Sequence, residues 1–308
     1  MKLISVVLAC FAAVGMVAFA SADARAELLA YEGFATEGYL DGSYGSPNSF
    51  GFTAPWTADT GDYSHSNATP TTAPKLGLVE GNLPLPSNNL GSEGGMMRLF
   101  SAHGSTVTAT RPLGTSIIAD SGDTWYISFA AQKNTDYSTP WAFMGLTNTS
   151  GISAARIRAG FNGISPDNRI AAAIGCRDAF GTESNTVNST DALANEPVFY
   201  VLKIDTTTDG TLNLSMNYYF QNETLPIDEP TSWALQTSQS GMSGVSYDIA
   251  YIQGRSGVNY GGTGAFFDEF RLGTTWQDVA AEVPEPSTFA LLGMGLFGLL
   301  AYAWRKRR

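Results

Sequence analysis

The chain has 308 residues, a formal net charge of −11, 44% hydrophobic residues and only 15% charged ones. Such an acidic chain repels phosphate backbones and anionic lipid surfaces, which excludes nucleic-acid binding as its role. Two cysteines and two histidines in the whole chain also exclude a disulfide scaffold and a histidine-rich metal centre.

The N-terminus reads as a leader. Met1-Lys2 supplies positive charge, Leu3 to Ala20 is apolar and rich in Ala and Val, and Ala24-Arg25-Ala26 fits the small-x-small cleavage rule. Ala18-Phe19-Ala20 and Ala20-Ser21-Ala22 fit it too, so the site is fixed only to within several residues. The expectation is a Sec signal peptide over 1–26, cut at Ala24 to Ala26, with an uncleaved signal anchor as the alternative. Cys10 lies too early for a lipoprotein box, because the apolar run continues past it. Removing the leader removes Cys10 and leaves Cys176, which follows a strand-like run and is expected as a buried thiol.

Beyond the leader, Gly, Ser, Thr and Asn dominate and no long 3.6-residue period appears. Short alternating or apolar runs bounded by turn residues predict strands. They fall at Leu28 to Phe34, Met96 to Phe100, Thr106 to Arg111, Trp125 to Phe129, Trp141 to Leu146, Ala155 to Phe161 and Arg169 to Ile174. His103-Gly104 reads as a turn pairing the second run with the third. Pro197 to Asp205 is the strongest run, and its near-continuous apolarity predicts burial on both faces. Asp209-Gly210 predicts a hairpin turn, with Leu212, Leu214 and Met216 alternating on the return. Tyr247 to Gln253 and Ala265 to Leu272 complete the set. Residues 43–95 read as long loops and one short strand. Ten to twelve strands in one chain predict an all-β domain over 27–280, a two-sheet jelly-roll sandwich.

The tail is a different material. Val283-Pro284-Glu285-Pro286-Ser287 is followed by an uncharged apolar run and then Arg305-Lys306-Arg307-Arg308. The sixteen residues Phe289 to Trp304 would span roughly 24 Å as a helix, and Ser287 and Thr288 extend it toward the ~30 Å hydrocarbon core. Tyr302 and Trp304 sit where an aromatic belt lies, and the four cations read as a cytoplasmic stop. Proline on both sides of Glu285 keeps that segment extended. Residues 281–308 thus divide into a motif at 283–287, a transmembrane helix over 288–304 and a basic tail at 305–308. Between the two apolar ends, residues 27–286 carry 11 basic and 27 acidic residues, a balance of −16. Solubility accounts for that charge, and cation bridging in a matrix is compatible with it.

Candidate chemistry is sparse. His65 and His103 share no metal-ligand spacing, and no Gly-x-Ser-x-Gly elbow frames a serine. Glycoside hydrolysis needs two carboxyls about 5–10 Å apart. Asp268 and Glu269 are adjacent, so in a regular strand they point to opposite faces. Pairing of Glu269 with the nearby Arg271 would be structural. Asp205-Thr206-Thr207-Thr208-Asp209-Gly210 looks superficially like a calcium loop but lacks ligands at alternate positions and a closing Glu. The hairpin reading is preferred, no cofactor is expected, and calcium stays open as the alternative. Trp56, Tyr63, Trp141, Trp233 and Tyr260 read first as packing residues and second as members of a sugar platform. Gly257 to Gly264 lacks a following helix and the Lys of a phosphate cradle, and reads as a surface loop. The Asn-x-Ser/Thr triplets at Asn67, Asn148, Asn188 and Asn222 are explained by composition.

Two resemblances sharpen this. The tail resembles the PEP-CTERM sorting signal of exported bacterial proteins, which implies an exosortase protease acting at Val283, Pro284, Glu285 and Pro286 after Sec export. Tyr31-Glu32-Gly33-Phe34, Trp125-Tyr126-Ile127-Ser128-Phe129, Val201-Leu202-Lys203-Ile204-Asp205 and Phe267-Asp268-Glu269-Phe270-Arg271-Leu272-Gly273 look like many PEP-CTERM ectodomains. Those are similar to concanavalin A-like lectin/glucanase sandwiches. The resemblance implies a membrane-anchored precursor delivered to the cell surface or matrix, with extracellular polysaccharide nearby. The expected role is non-catalytic, structural or adhesive. The alternatives are a lectin-like module and, behind it, a glycan-processing enzyme. A permanent anchor is the alternative to cleavage.

Overall fold

The computed structural model describes residues 28–34, 49–58, 75–86, 95–100, 106–133, 141–148, 155–164, 169–177, 183–187, 196–255 and 265–280. The leader, the sorting motif at Val283 to Pro286, the stop at Arg305 to Arg308 and the cleavage residues Ala24 and Ala26 lie outside them. Among the described residues no helix is long and apolar enough to cross a membrane.

Among the described residues fifteen strands form two antiparallel sheets. They are β1 (Leu28–Glu32), β2 (Thr57–Ala58), β3 (Lys75–Glu80), β4 (Gly95–Phe100), β5 (Thr106–Ile118), β6 (Thr124–Lys133), β7 (Trp141–Thr147) and β8 (Arg156–Ile164). There follow β9 (Arg169–Arg177), β10 (Glu183–Val187), β11 (Pro197–Thr206), β12 (Leu212–Phe220), β13 (Leu235–Gln239), β14 (Ser246–Arg255) and β15 (Ala265–Gly273). One sheet runs β13-β12-β11-β6-β15-β4-β3, with β1 also on β15, and the other runs β10-β9-β8-β7-β14-β5-β2. The expected all-β sandwich is therefore present, with more strands than the sequence patterns predict.

Alternation explains which side chains fill it. Ile127, Phe129 and Ala131 of β6, Tyr200, Leu202 and Ile204 of β11 and Met144 and Leu146 of β7 meet in one core between the sheets. Phe129 stacks on Tyr200 with centroids 5.2 Å apart, and Phe161 meets Tyr200 edge-on at 5.4 Å. Cys176 belongs to this core, as expected of a structural thiol. The opposite residues of β11, Phe199 and Val201, are buried too, which accounts for the continuous apolarity of that run. They join a second cluster on the outer face of the eight-stranded sheet with Leu83, Tyr126, Ala130, Leu225 and Trp276.

Three differences from the sequence reading have physical causes. β4 and β5 do not pair across His103-Gly104. β4 pairs with β3 and β15 while β5 pairs with β14 and β2, so the two strands belong to different sheets. The described residues of region 43–95 include two strands, β2 and β3, rather than one. Helix α1 (Trp276–Ala280) packs on the outer cluster, although no helical period announces five residues.

The Asp209-Gly210 hairpin is present between β11 and β12. Gly210 N–H donates to the Thr207 carbonyl at 2.9 Å with φ at 75°, and Thr207 N–H donates to the Thr211 carbonyl at 3.0 Å. The positive φ is why glycine stands there. Asp209 Oδ1 accepts from Thr211 N–H and the Thr207 hydroxyl. Asp205 accepts from the Thr124 hydroxyl and faces Lys203 Nζ at 3.5 Å.

Candidate functional site

The described residues with the densest polar chemistry lie where β1 meets β15. Tyr31 pairs with Arg271 and Glu32 with Phe270, so the sequence patterns near the two ends of the sandwich are neighbours in one sheet. Glu32 is fully buried on the core-facing side. A buried carboxylate must be paired and hydrogen-bonded or it destabilises the fold by several kcal/mol. Arg111 of β5 reaches across from the other sheet and forms the ion pair. Phe34 N–H donates to Glu32 Oε1 at 2.9 Å, and Trp56 Nε1 donates to Oε2 at 3.3 Å. Arg111 is held in turn by the Ala54 carbonyl and the Ser49 hydroxyl, each at 2.9 Å, and its guanidinium lies 4.0 Å over the Phe52 ring. The pair thus ties the two sheets together at one corner.

The outer side of the same junction holds a second network. Between Asp268 and Arg271 the pairing of β15 with β6 slips by one residue, so Glu269 and Phe270 together oppose Phe129. That is a β-bulge, and Glu269 takes a φ of 55° to make it. The bulge keeps Phe270 in the core with Phe267 and Leu272, and strict alternation fails. Asp268 and Glu269 consequently do not project as adjacent residues of a regular strand would. Asp268 Oδ2 accepts from Leu83 N–H at 3.0 Å and Oδ1 from Glu269 N–H at 2.9 Å. Glu269 accepts from the Tyr31 hydroxyl and from Arg271, both at 3.2 Å, so the expected Glu269–Arg271 pair is present. Burial pushes the Asp268 carboxyl well above the usual range, and the Glu269 charge pushes it further.

Asp268, Glu269 and Glu32 are each 0% exposed. A carboxyl closed off from solvent and already occupied by protein donors shapes the fold and does not meet a dissolved substrate. Among the described residues no group of three His, Cys, Asp or Glu could hold a metal ion.

The aromatic candidates separate. Trp56 is buried against Glu32, and Trp233 packs edge-on to Trp276 at 6.0 Å in the outer cluster. Trp141, half-buried, stacks on Phe143 at 5.7 Å, and Arg158 lies 4.6 Å over Phe143. Those three side chains lie on the outer side of the seven-stranded sheet, opposite the core-facing Ala142, Met144 and Ala159. Tyr63, Tyr260, His65, His103 and Gly257 to Gly264 lie outside the described residues. Sequence reasoning missed the partners of Glu32, because Trp56 and Arg111 are 24 and 79 residues away. It also missed Thr275-Trp276-Gln277-Asp278, a capping-box pattern that could have signalled α1.

Comparison with known proteins decides the tail. Residues 282–308 match the family model described as the PEP-CTERM protein-sorting motif. The chain carries a PEP-CTERM tail. That motif marks exported proteins for exosortase processing and sorting to the cell surface. Search of curated proteins gives no significant sequence match. Among solved structures, the chain is similar to a CBM2 module of the evolved Dit of Lactobacillus casei BL23 phage J-1, at 11% identity and TM-score 0.39 over 71% of this chain and 94% of that one. It is similar to peanut lectin at 10% identity and TM-score 0.36, covering 72% and 98%. It is similar to an endo-β-1,4-glucuronan lyase of the fungus Trichoderma reesei at 12% identity and TM-score 0.34, covering 66% and 89%. At these values the likenesses carry no argument about activity. The architecture rests on the strand pairing itself.

Proposed function

We propose that the PEP-CTERM chain is a Sec-exported surface or matrix protein with a non-catalytic structural or adhesive sandwich. Its segments are a signal peptide over 1–26, a sandwich over 27–280 and a sorting region over 281–308. The helix over 288–304 and the stop at Arg305, Lys306, Arg307 and Arg308 hold the precursor in the membrane, and an exosortase cuts near Pro284, Glu285 and Pro286. The observation that carries this reading is the sorting motif following within a few residues of a folded sandwich. The buried, mutually occupied carboxyls at the β1–β15 junction support a non-catalytic role. The test is fractionation of the native host carrying the wild-type chain or Glu285→Ala. Wild type should reach the surface or medium, and the variant should remain with the membrane. Identical distribution of the two would sink the proposal.

A second reading, a lectin-like module, draws on the Trp141–Phe143–Arg158 group on the outer side of the seven-stranded sheet. A stacked, partly exposed indole beside a cation is a surface that a sugar face can meet. Glycan arrays with and without chelator test it and the calcium alternative together. Absence of binding in both arms removes this reading.

A further inference from the structure

Basic residues are unevenly placed on this acidic molecule. Residues 27–286 carry 11 basic and 27 acidic residues. The strands of the seven-stranded sheet hold six of the former, Arg111, Arg156, Arg158, Arg169, Arg177 and Arg255, and two of the latter, Glu183 and Asp248. All six cations are arginine. Arg111 turns inward to Glu32, and the other five belong to β8, β9 and β14. At physiological salt charges are screened beyond about 8 Å, so such a patch acts locally whatever the sign of the whole domain.

Register turns the count into an arrangement. Arg156 pairs directly with Arg177 across β8 and β9, and Glu183 of β10 is the one acid in register with them. Like charges set opposite each other destabilise a sheet, and an anion bound at this row relieves the repulsion. Two residues along β8, Arg158 pairs with Gly145 and Gly175, so no side chain stands directly across from it on either neighbouring strand. Its guanidinium lies 4.6 Å over Phe143, the ring on which Trp141 stacks. Phe143 is 4% exposed and Tyr251 0%, so the floor of this face is closed. Trp141, Arg156 and Arg158 are partly exposed and are what a ligand meets. Thr147 pairs with Arg156, so the indole and the Arg156 row are six residues apart along β7, roughly 20 Å at ~3.3 Å per residue.

An indole offers an apolar platform to a sugar face. A planar guanidinium matches a carboxylate in a bidentate pair. A polymer of sugar rings that carry carboxylates uses both along one stripe, whereas an acidic protein supplies the charge without a ring face for the indole. We propose that the outer face of the seven-stranded sheet binds an acidic polysaccharide of the polyuronate class, with a sugar ring on Trp141 and ring carboxylates at Arg158 and Arg156. The proposal names the ligand of the lectin-like reading and rests on it. The rest of the acidic surface repels the same polymer, which directs it to this face.

The test is interferometry of the full chain in detergent over immobilised polygalacturonate, its methyl ester, a neutral β-glucan, dextran sulfate and polyglutamate. The chain should bind polygalacturonate with or without chelator and lose affinity as salt rises. Esterification removes the charge and keeps the ring, and should weaken binding roughly tenfold or more. Arg158→Gln and Trp141→Ala should each weaken it on the order of tenfold, the worth of one charge-assisted or one aromatic contact. Equal binding of the ester or the neutral glucan overturns the acidic assignment and leaves the lectin-like reading standing. Dextran sulfate bound in place of polygalacturonate, or release by chelator, overturns the direct carboxylate contact. Polyglutamate held as tightly as polygalacturonate overturns recognition of a sugar. Undiminished binding by either variant overturns the site. Absence of binding to every glycan removes the lectin-like reading and this proposal with it. The ester and polyglutamate arms use the wild-type chain, so they stay decisive if a variant fails to fold.

Discussion

Glu32 and Asp268 are both fully buried carboxyls at the same strand junction, and their surroundings differ in kind. Glu32 faces the core, meets a guanidinium from the opposite sheet and receives two further N–H donors. Asp268 lies on the outer side beside a second acid, receives two backbone N–H groups and is pushed toward its neutral form. Equal burial therefore has different consequences. Where a cation is supplied the charge becomes a cross-link. Where another acid is the neighbour, burial and that acid's charge push the carboxyl toward its neutral form, against the pull of Arg271.

The comparison breaks most visibly at Glu32. Glu32→Ala leaves Arg111 buried without its anion, and loss of one partner of a buried pair costs about 3–5 kcal/mol. Urea denaturation of the full-length chain should show that loss, and unchanged stability would mean that the pair ties nothing. Trp276→Ala removes the largest side chain of α1 from the outer cluster. Truncation of a buried Trp costs about 3–5 kcal/mol where the site cannot collapse, and the lower end is expected here because the helix lies at the periphery. The same denaturation series measures it.

Lys133 sharpens the contrast from the cationic side. It is 2% exposed, and burial pushes its amine down to about 7. The folded state then binds fewer protons than the unfolded chain between about pH 7 and 10.4, so this group makes stability rise with pH across that window. Lys133→Met should flatten the rise, read as denaturation midpoints from pH 7 to 10. An identical slope in the variant contradicts the account. Asp268 is the acidic counterpart. Its raised carboxyl contributes stability present in acid and lost as pH climbs above about 4. Asp268→Asn carries no titration there, so the decline assigned to this group should vanish. The slope, rather than the absolute stability, is the readout, because an amide cannot accept both N–H bonds.

What was legible in the sequence follows the same physics. β6, β11 and β15 lie inside the eight-stranded sheet, with both faces covered, so Trp125 to Phe129 and Pro197 to Asp205 announce themselves by apolar residues, as Ala265 to Leu272 does through its phenylalanines despite Asp268, Glu269 and Arg271. β10 with Glu183-Ser184-Asn185-Thr186-Val187 and β13 with Leu235-Gln236-Thr237-Ser238-Gln239 are edge strands and are absent from the strands that the sequence patterns predict. An edge needs less apolar surface and leaves a fainter pattern. The bulge at Glu269 is invisible in sequence because its positive φ sits on a residue that does not favour it. The corner ion pair is hidden for another reason. Glu32 and Arg111 look like ordinary surface charges until the sheets are stacked. The sorting tail is the opposite case. Its proline-flanked acid, apolar run and basic stop are read directly from composition and order.

The central claim is that the chain is sorted through its tail and cut there. Intact mass spectrometry of the mature protein from its own host tests this most directly. A C-terminus between Pro284 and Pro286 is the predicted result, marking the sandwich as a released or transferred surface component. A mature chain still ending at Arg308 would contradict processing and make the sandwich a permanently tethered domain.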